Sequence, residues 1–151
     1  MLVGGQSRLS PRTVFMQLGG RDWRLALRAA SYAERVYVLD WAGPPRGVRL
    51  PVNLRRVRSD EFGISVPEGS VDVAFTDEPL ERRAFLRDVR HALAERGVLV
   101  CAAASATARE LRKLLLDAGF RRLRFYAGTV RLPYWLACLA APLRLHVAAL
   151  K

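Results

Sequence analysis

Two apolar runs with strand character, Thr13–Leu18 and Arg35–Leu39, lie about twenty residues apart; the first runs into Gly19-Gly20 and the second ends at Asp40. Between them Leu25, Ala26, Ala29, Ala30 and Ala33 recur at helical spacing behind Asp22, a good N-cap residue. A strand, a glycine-containing turn, a helix and a second strand with a terminal acid form a βαβ unit. In such a unit the turn brings its backbone up to a nucleoside, and the acid accepts hydrogen bonds from ribose hydroxyls. The turn here reads Gln17-Leu18-Gly19-Gly20-Arg21-Asp22-Trp23, with large side chains where a nucleotide-binding turn usually carries glycine.

The alternation continues along the chain. Residues 41–51 hold Gly43, Pro44, Pro45, Gly47 and Pro51 and predict a loop. Asn53–Arg58 predicts a third strand, and a second loop with Gly63, Pro67 and Gly69 leads to a fourth, Val71–Thr76. A helix is expected over Leu80–Ala94, with Phe85, Leu86, Val89, Ala92 and Leu93 inward and Arg82, Arg83, Arg87 and Arg90 mostly outward. Gly97 precedes a fifth strand, Val98–Ala102. Thr107 and Glu110 make a capping box for the next helix, with Ala108, Leu111, Leu114, Leu115 and Ala118 as its buried stripe and Gly119 as its stop. Arg121–Tyr126 is a sixth strand. Strands alternating with helices predict an α/β sandwich around a mainly parallel sheet. Unbroken runs such as Val98-Leu99-Val100 suit strands buried on both faces.

The 151 residues suit one compact domain, and 51% hydrophobic with 26% charged residues excludes a disordered chain. Residues 1–12 read as a loose lead-in, and Met1–Gly5 is too short for a secretory leader. The two cysteines, Cys101 and Cys138, lack metal-ligand spacing and read as small core thiols in a reducing, cytoplasmic compartment. Net charge is +11, almost all from arginine. That fits an acidic partner such as RNA, an anionic lipid or a phosphorylated substrate. Arginines scattered over solvated faces by a GC-rich genome are the preferred explanation, and nucleic acid is not the favoured partner.

The domain is expected over residues 13–131, followed by an apolar tail, 132–151. Leu136, Leu139, Ala140, Leu143, Val147 and Leu150 fit one helical stripe, while Pro142 and Arg144 argue against a membrane-spanning helix. The tail is expected to be helical and to pack on the domain or on a second copy as a homodimer; a weak membrane contact is the alternative.

By the order of these segments the chain resembles the class I S-adenosylmethionine-dependent methyltransferases. Thr13–Gly19 is similar to the family's first motif, under the methionine part of the cofactor. Val36–Asp40 is similar to the second strand with its ribose-binding acid, and Arg58-Ser59-Asp60 to the acid that meets the adenine amine. Pro67–Phe75, Phe85–Val100 and Leu111–Phe120 resemble the segments around strands 4, 5 and 6. The resemblance covers residues 13–127 and is nearest to a bacterial group with an acid–His pair after strand 4. It implies a Rossmann-like three-layer α/β sandwich and S-adenosylmethionine as cofactor. Here Gln17 replaces the motif's acid, and Arg21 and Trp23 occupy two of its glycine positions. Those side chains could fill the cofactor's space, stack on it or point outward. The acid–His pair is absent, the 102–106 link is short and the N-terminal lid helices are nearly absent.

The resemblance implies cofactor contacts at Gly19, Gly20, Asp40, Trp41 and Asp60. Trp41 would flank the adenine or else cover the proline loop. Asp40 could equally be a strand-ending carboxylate, and Asp60 could pair with Arg56 or Arg58. Asp77 and Glu78 follow strand 4, where open α/β sheets bind ligands; either could orient an acceptor or act as base, or simply favour the next helix's N-terminus. His91 reads as a surface residue, and no nucleophilic constellation stands out. The leading reading is a methyltransferase acting on a small-molecule acceptor. One alternative is a non-catalytic interaction module on the same fold, favoured by Arg21, Trp23 and the missing segment after strand 4; another is a basic nucleic-acid-associated protein.

Overall fold

The computed structural model describes residues 9–19, 23–39, 43–44, 46–60, 63–76, 83–103, 107–127, 130–139 and 145–151. Apolar runs become strands: β1 Val14–Leu18, β2 Arg35–Leu39, β3 Leu54–Val57, β6 Val71–Thr76, β7 Leu93–Ala103 and β8 Arg122–Ala127. Periodic runs become helices: α1 Arg24–Ala30, α2 Arg83–Ala92 and α3 Ala108–Asp117. Short elements complete the chain: β4 Ser59–Asp60, β5 Gly63–Ile64, β9 Val130–Leu132, α4 Tyr134–Leu139 and β10 Leu145–Leu150.

One eight-stranded sheet has the order β3-β2-β1-β6-β7-β10-β8-β9. β1 pairs in parallel with β2 and β6, β2 with β3, and β6 with β7. β10 runs antiparallel to both β7 and β8, and β9 antiparallel to β8. Successive strand residues point to opposite faces, so the strands feed two cores. Met16, Leu18, Tyr37 and Leu39 pack with Leu86 and Val89 of α2 and Leu111 and Leu115 of α3. Phe15, Val36, Val38 and Val73 pack with Ala26 and Ala29 of α1. The result is the expected Rossmann-like three-layer α/β sandwich.

Several local expectations need correction. Helix α1 takes Trp23 as its N-cap, with no side-chain cap bond, and Asp22 lies outside the described residues. Arg87 is exposed as expected, but Arg90 is half-buried, and its Nε would lie 3.2 Å from a Cβ on Gly119. Cys101 is buried, whereas Cys138 is exposed and is no core thiol.

The tail departs furthest. Among its described residues it is helical over Tyr134–Leu139, and Leu145–Leu150 is a strand in the sheet interior. The physical reason is backbone satisfaction. Between β7 and β8 an extended segment is hydrogen-bonded on both sides, and its residues are apolar on both faces: Val147, Ala148 and Ala149 are all buried. Lys151 then donates from Nζ to the Leu93 carbonyl at 2.7 Å, tying the strand's end to the start of β7. Among the described residues no helix is long and apolar enough to cross a membrane.

Candidate functional site

Strand order reverses at β1: β2 and β3 lie to one side, β6 and β7 to the other. In an open α/β sheet such a reversal leaves a crevice at the carboxyl ends of the strands. Here those ends are Gly19 after β1 and Thr76 in β6, with Leu39 at the end of β2.

The β1 turn is held from two directions. Gly19 N–H donates to the Leu39 carbonyl at 2.7 Å, which locks the ends of β1 and β2 together. Gln17, 3% exposed, donates from Nε2 to the Gly19 carbonyl at 3.3 Å. Gly19 has φ +67°, a conformation that costs a side chain but not a glycine. The first glycine of the motif is thus required by the backbone.

Trp23 is the N-cap residue of α1. It is 3% exposed and packs with Phe15, Ala26, Val36 and Val38 in the α1 core. Of the three orientations open to it from sequence, burial excludes the outward-pointing one. Arg21 lies outside the described residues, as do Gly20, Asp40, Trp41, Asp77 and Glu78. Asp40 and Trp41 directly follow Leu39 in the chain, and Asp77 and Glu78 directly follow Thr76.

Asp60 follows β3 in a small hairpin that the sequence reading treated as loop. Ser59 pairs with Ile64 and Asp60 with Gly63. Gly63 has φ +113°, and a Cβ there would stand 3.7 Å from Cγ of Asp88, so the hairpin rests on α2. A glycine after Asp60-Glu61-Phe62 was the available signal, since short hairpin loops favour glycine at their left-handed position. Thr76, 2% exposed, ends β6 opposite Cys101. Burial pushes the Cys101 thiol well above its ordinary pKa, which keeps it protonated and unfit as a nucleophile. Among the described residues no group of His, Cys, Asp and Glu could hold a metal ion.

The strand order therefore places a glycine turn and two hydrogen-bonded strand ends at one crevice. Among the described residues it holds no nucleophile.

No family model matches the sequence, and no characterised protein matches it by sequence. Solved structures do match by fold. A S-adenosylmethionine-dependent methyltransferase from Aquifex aeolicus is similar with a TM-score of 0.68 at 16% identity, over 95% of this chain and 84% of that one. The tRNA (m1A58) methyltransferase TrmI from the same organism gives 0.63 at 17% identity; the chain is covered to 95% and spans 64% of that protein's length. The 1,6-didemethyltoxoflavin-N1-methyltransferase of Burkholderia thailandensis, with its substrate and S-adenosylhomocysteine bound, gives 0.65 at 19% identity over 94% and 72%. At these identities the likeness is one of fold.

Proposed function

We propose that the chain binds S-adenosylmethionine at the carboxyl ends of β1, β2 and β3 and transfers its methyl group to a small-molecule acceptor. The observation that carries this is Gly19: a left-handed glycine at the switch point, bonded to the last carbonyl of β2, with an acid next in sequence. The glycine turn supports the methionine end of the cofactor. Asp40 accepts the ribose hydroxyls, Asp60 meets the adenine amine and Trp41 flanks the ring. Trp23, the bulkiest residue in the degenerate motif, is packed in the α1 core cluster.

The cofactor supplies an electrophilic methyl on a sulfonium. The chain's own work is to hold donor and acceptor in line and exclude water, which can account for much of such a reaction's rate enhancement. Asp77 or Glu78 orients the acceptor or accepts its proton where it carries one at neutral pH. A reducing cytoplasm suits the exposed free thiol of Cys138.

Calorimetry with S-adenosylmethionine tests the reading. Binding in the micromolar range is expected, weakened at least tenfold in Asp40→Ala and severalfold in Asp60→Ala, with S-adenosylhomocysteine competing. A folded wild-type protein that binds neither ligand would overturn it.

A further inference from the structure

The end of the molecule opposite the crevice carries apolar and basic side chains that cofactor binding does not use. β1, β2 and β3 are parallel, so the turns that enter β2 and β3 lie at their amino ends, away from Gly19 and Leu39. The first turn runs out of α1: Ser31 N–H donates to the Arg28 carbonyl at 3.2 Å and Tyr32 N–H to the Ala29 carbonyl at 3.0 Å. The second is closed by Leu54 N–H on the Pro51 carbonyl at 3.0 Å, with Val52 and Asn53 between them. Asn53 clamps the two turns together, donating from Nδ2 to the Ala30 and Ala33 carbonyls at 2.9 and 3.0 Å, on either side of Tyr32 in the chain. Turn tips ordinarily carry glycine, proline or short polar side chains. Here they carry Val52, fully exposed, and Tyr32, 58% exposed. Val48, 41% exposed, stands four residues before Val52, and so within about 14 Å of it. Leu50 between them packs against the α1 core and anchors the segment. Arg28 in the last turn of α1, and Arg46 and Arg49 beside Val48, are exposed. Among the described residues none of the three has a carboxylate partner. Glu34, also exposed at this end, acts electrostatically on Arg35.

A single exposed valine is ordinary on a protein surface; two apolar turn tips clamped side by side, with arginines in the same segments, are not. The shape narrows the partner. These tips project, so a rigid partner would need a matching hollow, whereas a lipid interface deforms around them. A tyrosine, with an apolar ring and a polar end, suits the depth of the headgroups. The guanidiniums need not converge on one point, because a plane of anionic headgroups attracts every cation held near it. We propose that the Tyr32 turn, the Pro51–Leu54 turn and the segment from Arg46 to Leu50 form a peripheral contact with an anionic lipid surface. Val48 and Val52 enter the boundary between headgroups and acyl chains, and Arg28, Arg46 and Arg49 meet the phosphates. The C-terminal strand takes no part in this contact, since β10 lies inside the sheet. The crevice at the carboxyl ends of the strands faces away from the lipid and stays open, so the contact stands whether or not the cofactor reading does.

Cosedimentation with phosphatidylcholine vesicles, with and without one-third phosphatidylglycerol, tests it. The protein is expected to partition onto the anionic vesicles and hardly at all onto the neutral ones, with an affinity that falls as salt rises. Val52→Ser and Val48→Ser remove methyl groups without altering charge, and each weakens partition severalfold. Arg49→Gln weakens it by about fivefold, the usual effect of one basic residue at an anionic surface. Val130→Ser and Arg131→Gln make the same changes at exposed positions on β9, at the other edge of the sheet, and leave partition nearly unchanged. Thermal melting of each variant confirms that it is folded. Plain adsorption of a protein with net charge +11 predicts a different pattern: unaltered binding in Val52→Ser, and equal losses in Arg49→Gln and Arg131→Gln. Either result would overturn the proposal. So would a lack of partition onto the anionic vesicles, or a dimer in ultracentrifugation that Val52→Ser dissolves, which would make a second copy the occupant. Calorimetry with S-adenosylmethionine on the same samples reports the crevice separately.

Discussion

At Gln17 one amide sets the shape of the β1 turn. Its Nε2 donates to the Gly19 carbonyl from a position with 3% exposure, a bond that the acid of related motifs could not make. A carboxylate has no proton to donate when ionised and would face the carbonyl oxygen across the same gap. Gln17→Glu is therefore expected to destabilise the fold by roughly 1–3 kcal/mol at neutral pH. Burial raises the new carboxyl's folded pKa above its unfolded value of about 4.3, so the penalty is absent below that pH and grows as pH rises toward the folded value. Urea midpoints for both proteins near pH 4 and pH 7.5 check this; an equal loss at both would refute it. The two thiols make a second case. Cys101 is buried, with its thiol pushed up by burial, and Cys138 is exposed. A thiol-specific chromogenic reagent should titrate one fast thiol in the native protein, lost in Cys138→Ser and kept in Cys101→Ser, and a second only in denaturant. Residue type alone did not reveal this difference: both cysteines sit in apolar sequence, and only the surrounding elements decide which is covered.

Among the elements, α3 was the most legible, because its signals are local. Thr107 accepts from the Glu110 N–H at 3.2 Å, and the Glu110 carboxylate accepts from the Thr107 N–H at 2.9 Å, the reciprocal bonds that the Thr-x-x-Glu spacing predicts. Those bonds hold the Glu110 carboxyl below its ordinary pKa, first through the Thr107 backbone and then through its hydroxyl. A depressed folded pKa gives stability that is present above the unfolded value and lost as pH falls through the folded one. Thr107→Ala should cost about 1 kcal/mol at pH 7. The difference from wild type should narrow under acid conditions, as read from denaturant midpoints in a pH series. The β4–β5 hairpin was illegible for the opposite reason: two-residue strands are too short to show a period. Residues 145–150 were misread because a continuous apolar run matches a buried strand and a buried helix equally well. Gly97 stands between these cases. Its place before strand 5 was visible, but its necessity was not; a Cβ there would lie 2.9 Å from the carbonyl oxygens of Ala94 and Val71, where β7 bulges against β6.

For the whole molecule, the decisive contact is one that local sequence could not announce. β10 is the last strand in the chain but lies inside the sheet, between β7 and β8, so the β8–β9 edge is joined to the parallel half only through it. Val147 is fully buried, opposite Cys101 on one side and Phe125 on the other. If the segment were an appendage, a charge at this position would be tolerated. As an interior strand it cannot be, because an uncompensated buried carboxylate costs roughly 3–5 kcal/mol, a large part of a domain's usual 5–15 kcal/mol. Val147→Asp should therefore be unfolded or nearly so at 25 °C by circular dichroism. Val147→Ala, which only empties space, should fold with a loss on the order of 2 kcal/mol. The same charge at Val52, fully exposed before β3, should leave the denaturation midpoint almost unchanged. A Val147→Asp protein as stable as wild type would mean that β10 does not bridge the two halves of the sheet, and the placement of the β8–β9 edge would fall with it.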